Sequence, residues 1–222
     1  SSKDLIGKNI ELAQIIDSSE FNGNIIFKGD PVQSSPLFHD GIMYFVTREK
    51  SLAAWDLEEK RIIFNLRFVM PPAPRGMALY ENEQRNERTL YFNVSSYLVA
   101  VDALTGELKQ NFGTNGYLRV GFGTVAPIVF NNMVITGING PPSIVSVNKE
   151  TGEEIWRKYI DGGAPWAGIS LDETRGILFV TTGNPKPPLY GGERLDINKE
   201  ANSLIAINAF NGDVIWSFQD II

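Results

Sequence analysis

His39 is the only histidine in the chain, and cysteine is absent. A Ser–His–Asp relay, a cysteine nucleophile and a thiolate or histidine zinc site therefore have almost nothing to be built from. The glycines of GFGTVA, residues 121–126, lack the strand–turn–helix setting of a dinucleotide fingerprint. Asn93-Val94-Ser95 is a glycosylation sequon by pattern only, inside a strand-like run. The charged run ENEQRNER, residues 81–88, reads as a solvated hairpin tip. What remains is TTGNPKPPLYGG, residues 181–192. It lies between two strand-like runs, GILFV at 176–180 and SLIAIN at 203–208. A hairpin needs about two to five connecting residues, yet here the chain spends about twenty, rich in proline, glycine and charge. A long excursion from a regular scaffold is the kind of segment that shapes a binding mouth.

The scaffold shows when four segments are aligned, starting at Ser35, Ala78, Ala126 and Gly168. Each reads as a short apolar strand, a polar turn, a β-rich strand, a second turn, a strand ending in Asp or Asn, a tight turn, and a last strand. The anchors are Asp56, Asp102, Asn148 and Asn208, spaced by 46, 46 and 60 residues. Eight residues after them stand Phe64, Gln110, Trp156 and Trp216. The turns Thr105-Gly106, Thr151-Gly152 and Asn211-Gly212 supply a glycine for positive φ, and the anchor side chain can cap the turn. Four short strands per period of this length predict an all-β chain, a β-propeller whose units stack because none can cover both of its own sheet faces. The aromatics after the anchors are expected to pack between blades. The last interval is 14 residues longer than the others, which makes the excursion at 185–200 an insertion into one blade.

Composition is that of a globular protein, and a net charge of −6 argues against a nucleic-acid partner. The longest apolar run, TVAPIVFNNMVITGI, is interrupted by two asparagines and is too short to span a bilayer. No signal peptide is visible at SSKDLIGKNI.

The Asp-x-x-Thr-Gly-x-x-x-Trp grammar resembles the tryptophan-docking repeat of the pyrroloquinoline quinone (PQQ) dehydrogenases. WAGISLDETRGILFVTTGNPKPPLYGGERLDINKEANSLIAINAFNGDVIWSFQ resembles one segment of that family, and APRGMALYENE resembles its arginine-glycine turn. The resemblance covers roughly residues 30–222. It implies about four four-stranded blades of an expected eight. Residues 1–34 read as a lead-in segment and 35–222 as a partial propeller, incomplete at its C-terminus. It also implies PQQ and a divalent metal, usually calcium, near the propeller axis.

Carried onto this sequence, the resemblance assigns Asn184 in TGNP as a metal ligand, and a side-chain carbonyl oxygen suits a hard cation. Trp166 in GGAPWAG falls on the residue that stacks on the cofactor, where a wide π-face suits a planar quinone. Arg75 in APRG falls beside the quinone oxygens, where a guanidinium stabilises negative charge. Thr124 in GTVAP matches a threonine bonded to a cofactor carboxylate, and Asn139 in TGING a small polar contact. Two departures point away from methanol-type enzymes and towards the sugar or polyol branch. GINGPPSIV has no acid where the alcohol branch has a glutamate ligand, and RFVMPPAPRG has no vicinal cysteines. The aspartate that acts as base in the family is expected beyond Ile222, so the chain reads as a fragment of a longer protein.

The expected activity is oxidation of a sugar or other polyhydroxy alcohol, with electrons passed to a membrane quinone or a cytochrome. The expected location is periplasmic, anchored through a segment outside this chain. The isolated chain is expected to be inactive. The rival expectation is a non-catalytic propeller, since outer-membrane assembly lipoproteins share the repeat. Retention of Arg75, Trp166 and Asn184 favours the enzyme.

Overall fold

The computed structural model describes residues 34–47, 50–185 and 198–220. The lead-in at 1–33 and most of the excursion, 186–197, lie outside the described residues. Among the described residues sixteen strands form four sheets of four. The first blade holds β1 (Leu37–His39), β2 (Ile42–Thr47), β3 (Ser51–Asp56) and β4 (Arg61–Arg67). The second holds β5 (Ala78–Asn82), β6 (Glu87–Val94), β7 (Tyr97–Asp102) and β8 (Tyr117–Arg119). The third holds β9 (Ile128–Phe130), β10 (Met133–Asn139), β11 (Pro142–Asn148) and β12 (Glu154–Tyr159). The fourth holds β13 (Ile169–Asp172), β14 (Ile177–Thr181), β15 (Ser203–Asn208) and β16 (Val214–Gln219). Every sheet is an antiparallel meander in chain order, as the repeat predicted. Among the described residues no helix is long and apolar enough to cross a membrane.

Strand parity decides which blade each side chain faces. On β6, Leu90, Phe92 and Val94 pack into the core shared with the first blade. Tyr91, between them, packs into the core shared with the third. On β10, Val134 and Ile138 face the second blade, while Met133 and Ile135 face the fourth. Both faces of the middle blades are buried, which is why their strands read as continuous apolar runs.

The tight turns work as the sequence suggested. Asp102 Oδ1 accepts from the backbone N–H of Leu104 (2.9 Å) and Thr105 (3.0 Å), and Asn148 Oδ1 from Glu150 (2.8 Å) and Thr151 (3.1 Å). Asp56 and Asn208 do the same in their own turns. The fourth residue past each anchor has positive φ: Lys60, Gly106, Gly152 and Gly212. Phe64 of the first blade lies against Gly106 of the second, where an added Cβ would come within 2.7 Å of the ring. Trp156 of the third lies against Gly212 of the fourth in the same way, and its Nε1 donates to the Ala209 carbonyl at 3.0 Å.

The second blade departs from the pattern because Gln110 cannot dock. Instead the chain turns again before β8, Phe112 is fully buried edge-on to Tyr91, and Gly113 N–H donates to the Thr151 carbonyl of the third blade at 2.9 Å. Trp216 ends the series. Trp156 is 8% exposed and Trp216 43%, and beside Trp216 the fourth blade also exposes Leu204 and Phe218.

At the end of the blades that carries the anchor turns, charge ties the first two together. His39 Nε2 lies 2.8 Å from Glu81 Oε2, and Arg88 bridges Glu81 and Asp40. The tip of ENEQRNER is the exposed turn expected, but its flanks, Glu81 and Arg88, form this inter-blade network. The Arg88 hydrogen bond holds the Glu81 carboxyl below the usual range, against the opposing effect of desolvation, with His39 adding in the same direction.

Gly106→Ala combines a strained positive φ with overlap on Phe64, and a loss of about 2 kcal/mol or more is expected in urea unfolding. The Glu81 contribution is present above the unfolded glutamate pKa of about 4.3 and is lost as pH falls through the lower folded value. The stability difference between wild type and Glu81→Gln should therefore shrink between about pH 4.3 and more acidic conditions. An undiminished difference at acid pH would sink that assignment.

Candidate functional site

An antiparallel meander alternates ends, so the links β4–β5, β8–β9 and β12–β13 emerge at the same end as the turns β6–β7, β10–β11 and β14–β15. Arg75 lies in the β4–β5 link, Thr124 in β8–β9 and Trp166 in β12–β13. Asn139 closes β10, and Asn184 follows β14. All five predicted site residues therefore lie at one end of the blades, opposite the anchor turns and the Arg88 network.

Two pairs are brought into contact. The Arg75 guanidinium carbon sits 4.7 Å from the centre of the Trp166 ring, and Arg75 Nη1 donates to the Trp166 carbonyl. These residues are 91 positions apart and belong to links that flank the second and third blades together. Asn139 Nδ2 donates to Thr124 Oγ1 at 3.1 Å, and Asn139 N–H donates to the Phe122 carbonyl at 2.8 Å. Among the described residues Asn184 makes no such pair; it is exposed, between Gly183 and the buried Pro185.

Close backbone approach holds the links in place. A Cβ at Gly137 would come within 2.9 Å of the Pro165 carbonyl oxygen, so β10 touches the Trp166 link directly. A Cβ at Gly183 would overlap the Trp166 indole nitrogen. Gly183 N–H donates to the Ala164 carbonyl (3.0 Å) and its own carbonyl accepts from Asn202 N–H (2.9 Å). The two roots of the excursion are joined by Ser203 N–H donating to Thr182 Oγ1 at 3.0 Å. Glu200 accepts from Asp161 N–H at 2.7 Å and pairs with Lys158 at 2.8 Å. The excursion thus springs from the same end as the candidate residues, beside Trp166.

The donor set fits a planar, acidic quinone. Trp166 is 46% exposed. Asn139 Oδ1 is buried with no hydrogen-bond partner among the described residues. Arg75 brings a fixed positive charge, and Thr124 a hydroxyl beside it in the next link. A divalent metal is served less completely. Asn184 offers one neutral oxygen, while a hard cation such as Ca²⁺ takes about six to eight. Among the described residues no group of three or more His, Cys, Asp or Glu comes together.

Sequence reasoning passed over Asn93. It was legible as a sequon but is fully buried, donating from Nδ2 to the Val125 carbonyl and to Thr136 Oγ1, both at 2.9 Å. Burial closes it to glycosylation. Parity along β6 was the available signal, since Asn93 shares the face of Tyr91 and points between blades.

Four meander blades with aromatic-to-glycine docking and polar links gathered at one end define a propeller whose candidate site residues share that end. Residues 13–147 and 147–221 match the family model of the PQQ glucose/ethanol/alcohol dehydrogenase β-propeller domain, and the chain belongs to that family of quinoprotein oxidoreductases. It is 30% identical over 219 residues to the quinoprotein glucose dehydrogenase A of Acinetobacter calcoaceticus, covering 81% of this chain and 25% of that one. Among solved structures, the quinohemoprotein alcohol dehydrogenase of Pseudomonas putida HK5 superposes with a TM-score of 0.71 at 21% identity, covering 85% of this chain and 34% of that one. A europium-containing methanol dehydrogenase superposes with a TM-score of 0.67 at 19% identity, covering 83% and 41%. The chain thus spans a quarter of the length of the glucose dehydrogenase it matches.

Gly183→Ala should force the indole of Trp166 from its seat. A red shift of Trp166 emission is expected, isolated by subtracting the same change made in a Trp166→Phe background. A cost of about 1–3 kcal/mol is expected from overpacking.

Proposed function

We propose that the protein to which this chain belongs is a PQQ-dependent dehydrogenase that oxidises a sugar or other polyhydroxy alcohol. The observation that carries this reading is the Arg75–Trp166 pair, in which two links that flank the second and third blades converge on a single exposed ring and a single cation. When bound, the quinone would supply the acceptor for a hydride, and with it both electrons, from the substrate carbon. The chain's own residues bind and orient it. Trp166 offers the stacking face, Arg75 stabilises negative charge at the oxygens, and Thr124 with Asn139 gives polar contacts at the rim. Asn184 contributes one oxygen ligand to calcium, the other ligands coming from outside the described residues. The substrate hydroxyl proton goes to an aspartate past Ile222.

The rest of the reading follows the same line. Residues 1–34 form a lead-in to the propeller that begins at residue 35. The exposed Trp216, Leu204 and Phe218 receive a further blade, as Phe64 and Trp156 are received within the chain. The remaining blades complete an eight-bladed ring with the axis walled. The enzyme works in the periplasm, anchored to the membrane outside this chain, and passes its electrons to a membrane quinone or a cytochrome.

Titration of the full-length protein with PQQ, followed by tryptophan quenching with and without calcium, tests this. Calcium-dependent quenching is expected, weakened tenfold or more (about 1.4 kcal/mol) in Trp166→Ala and Arg75→Ala. Asn184→Ala should raise the calcium requirement. A folded full-length ring that binds no PQQ would leave the scaffold propeller as the better account.

A further inference from the structure

Asn93 belongs to no part of the proposed chemistry, yet it touches both links that carry the first two site residues. Its backbone carbonyl accepts from Ala73 N–H at 2.7 Å, two residues before Arg75. Its side-chain Nδ2 donates to the Val125 carbonyl at 2.9 Å, one residue after Thr124. The circuit closes on the far side, because Arg75 and Val125 form a parallel β-bridge. A second bridge, Pro72 to Val94, secures the β4–β5 link beside Asn93. Chain packing agrees with the hydrogen bonds. A Cβ at Gly123 would lie 3.1 Å from the Asn93 amide and 3.0 Å from the Gly137 carbonyl oxygen, so the β8–β9 link passes directly over this side chain.

The residue type matters. Asn93 is fully buried on the inter-blade face of β6, where its same-face neighbour Tyr91 enters the apolar core. A buried amide there costs stability unless bonded, and its Oδ1 has no partner among the described residues. An apolar residue would fill the position more cheaply for packing alone. What it would lose is the donor that reaches Val125.

We infer that Asn93 is a positioning residue, a buried clip that holds the Arg75 link and the Thr124 link in register and so fixes the spacing between the guanidinium and the Thr124–Asn139 pair. The inference rests on the proposed function for what that spacing serves, but the clip itself is a property of this chain. Thr136 supplies the control. Its hydroxyl accepts the second Nδ2 bond from within the third blade, and among the described residues it makes no hydrogen bond to either link.

The experiment compares Asn93→Leu and Asn93→Ser with Thr136→Val in the full-length protein. Leucine approximates the volume without the donor, and serine is too short to reach Val125, so at least one should fold. Two quantities are measured under conditions adjusted to equal global stability. One is the rate of tryptic cleavage after Arg75, followed by mass spectrometry. The other is PQQ affinity by tryptophan quenching. Both Asn93 variants should be cut after Arg75 at least tenfold faster than wild type and bind PQQ at least fivefold more weakly, while Thr136→Val matches wild type in both. Wild-type protection of Arg75 in the Asn93 variants, or equal exposure in Thr136→Val, would overturn the clip. If wild type binds no PQQ, the proposed function fails, and the cleavage rates still decide the role of Asn93.

Discussion

An aromatic side chain on the last strand of one blade rests on the glycine turn that opens the last strand of the next, and the rest of the molecule depends on that contact. A lone four-stranded sheet leaves two apolar faces in water, so a blade is stable only when stacked. The Asx-capped turn sets the glycine at a positive φ, the glycine leaves room for the ring, and the ring covers the turn. Phe64 on Gly106 and Trp156 on Gly212 repeat this unit. Where the second blade lacks the aromatic, an extra turn brings Phe112 and Gly113 to the same junction. The constraint is therefore on blade spacing, and the chain meets it by more than one chemical route.

Fixed blade spacing at one end fixes the links at the other. Because the strands are short, the separation of successive blades is transmitted to β4–β5, β8–β9 and β12–β13. The links then approach so closely that glycine is needed where backbone meets backbone, at Gly137 under Pro165, or backbone meets ring, at Gly183 under Trp166. Arg75 and Trp166 meet only because of this convergence.

The two ends differ in how their polar groups are used. At the anchor end, Asp40, Glu81, Arg88 and His39 bond one another across a blade boundary, and their charges are spent on structure. At the opposite end, Arg75 leans on a π-face, Asn139 keeps an acceptor unused among the described residues, and Asn184 is exposed. Membership of a quinoprotein family gives that asymmetry a chemical sense, since an acidic planar cofactor needs a cation, a ring and polar contacts that are not already committed.

The chain's own order of residues was enough to determine the blades. Apolar runs broken by Asp/Asn–Gly turns at a regular interval can be read directly, because turn chemistry and strand parity are local. The motifs around Arg75, Trp166 and Asn184 were legible as candidates for the same reason, each being a short stretch with a distinctive neighbourhood. Which of them touch was not legible. The Arg75–Trp166 contact joins positions 91 residues apart, and it exists only when the second and third blades are stacked between their links. Asn93 shows the same limit from the other side. A local pattern made it a sequon, while burial between two blades makes it a hydrogen-bond donor to Val125. Local sequence sets backbone conformation through sterics and turn bonds; the proximity of distant loops is set by how whole sheets stack, and only the tertiary structure decides that.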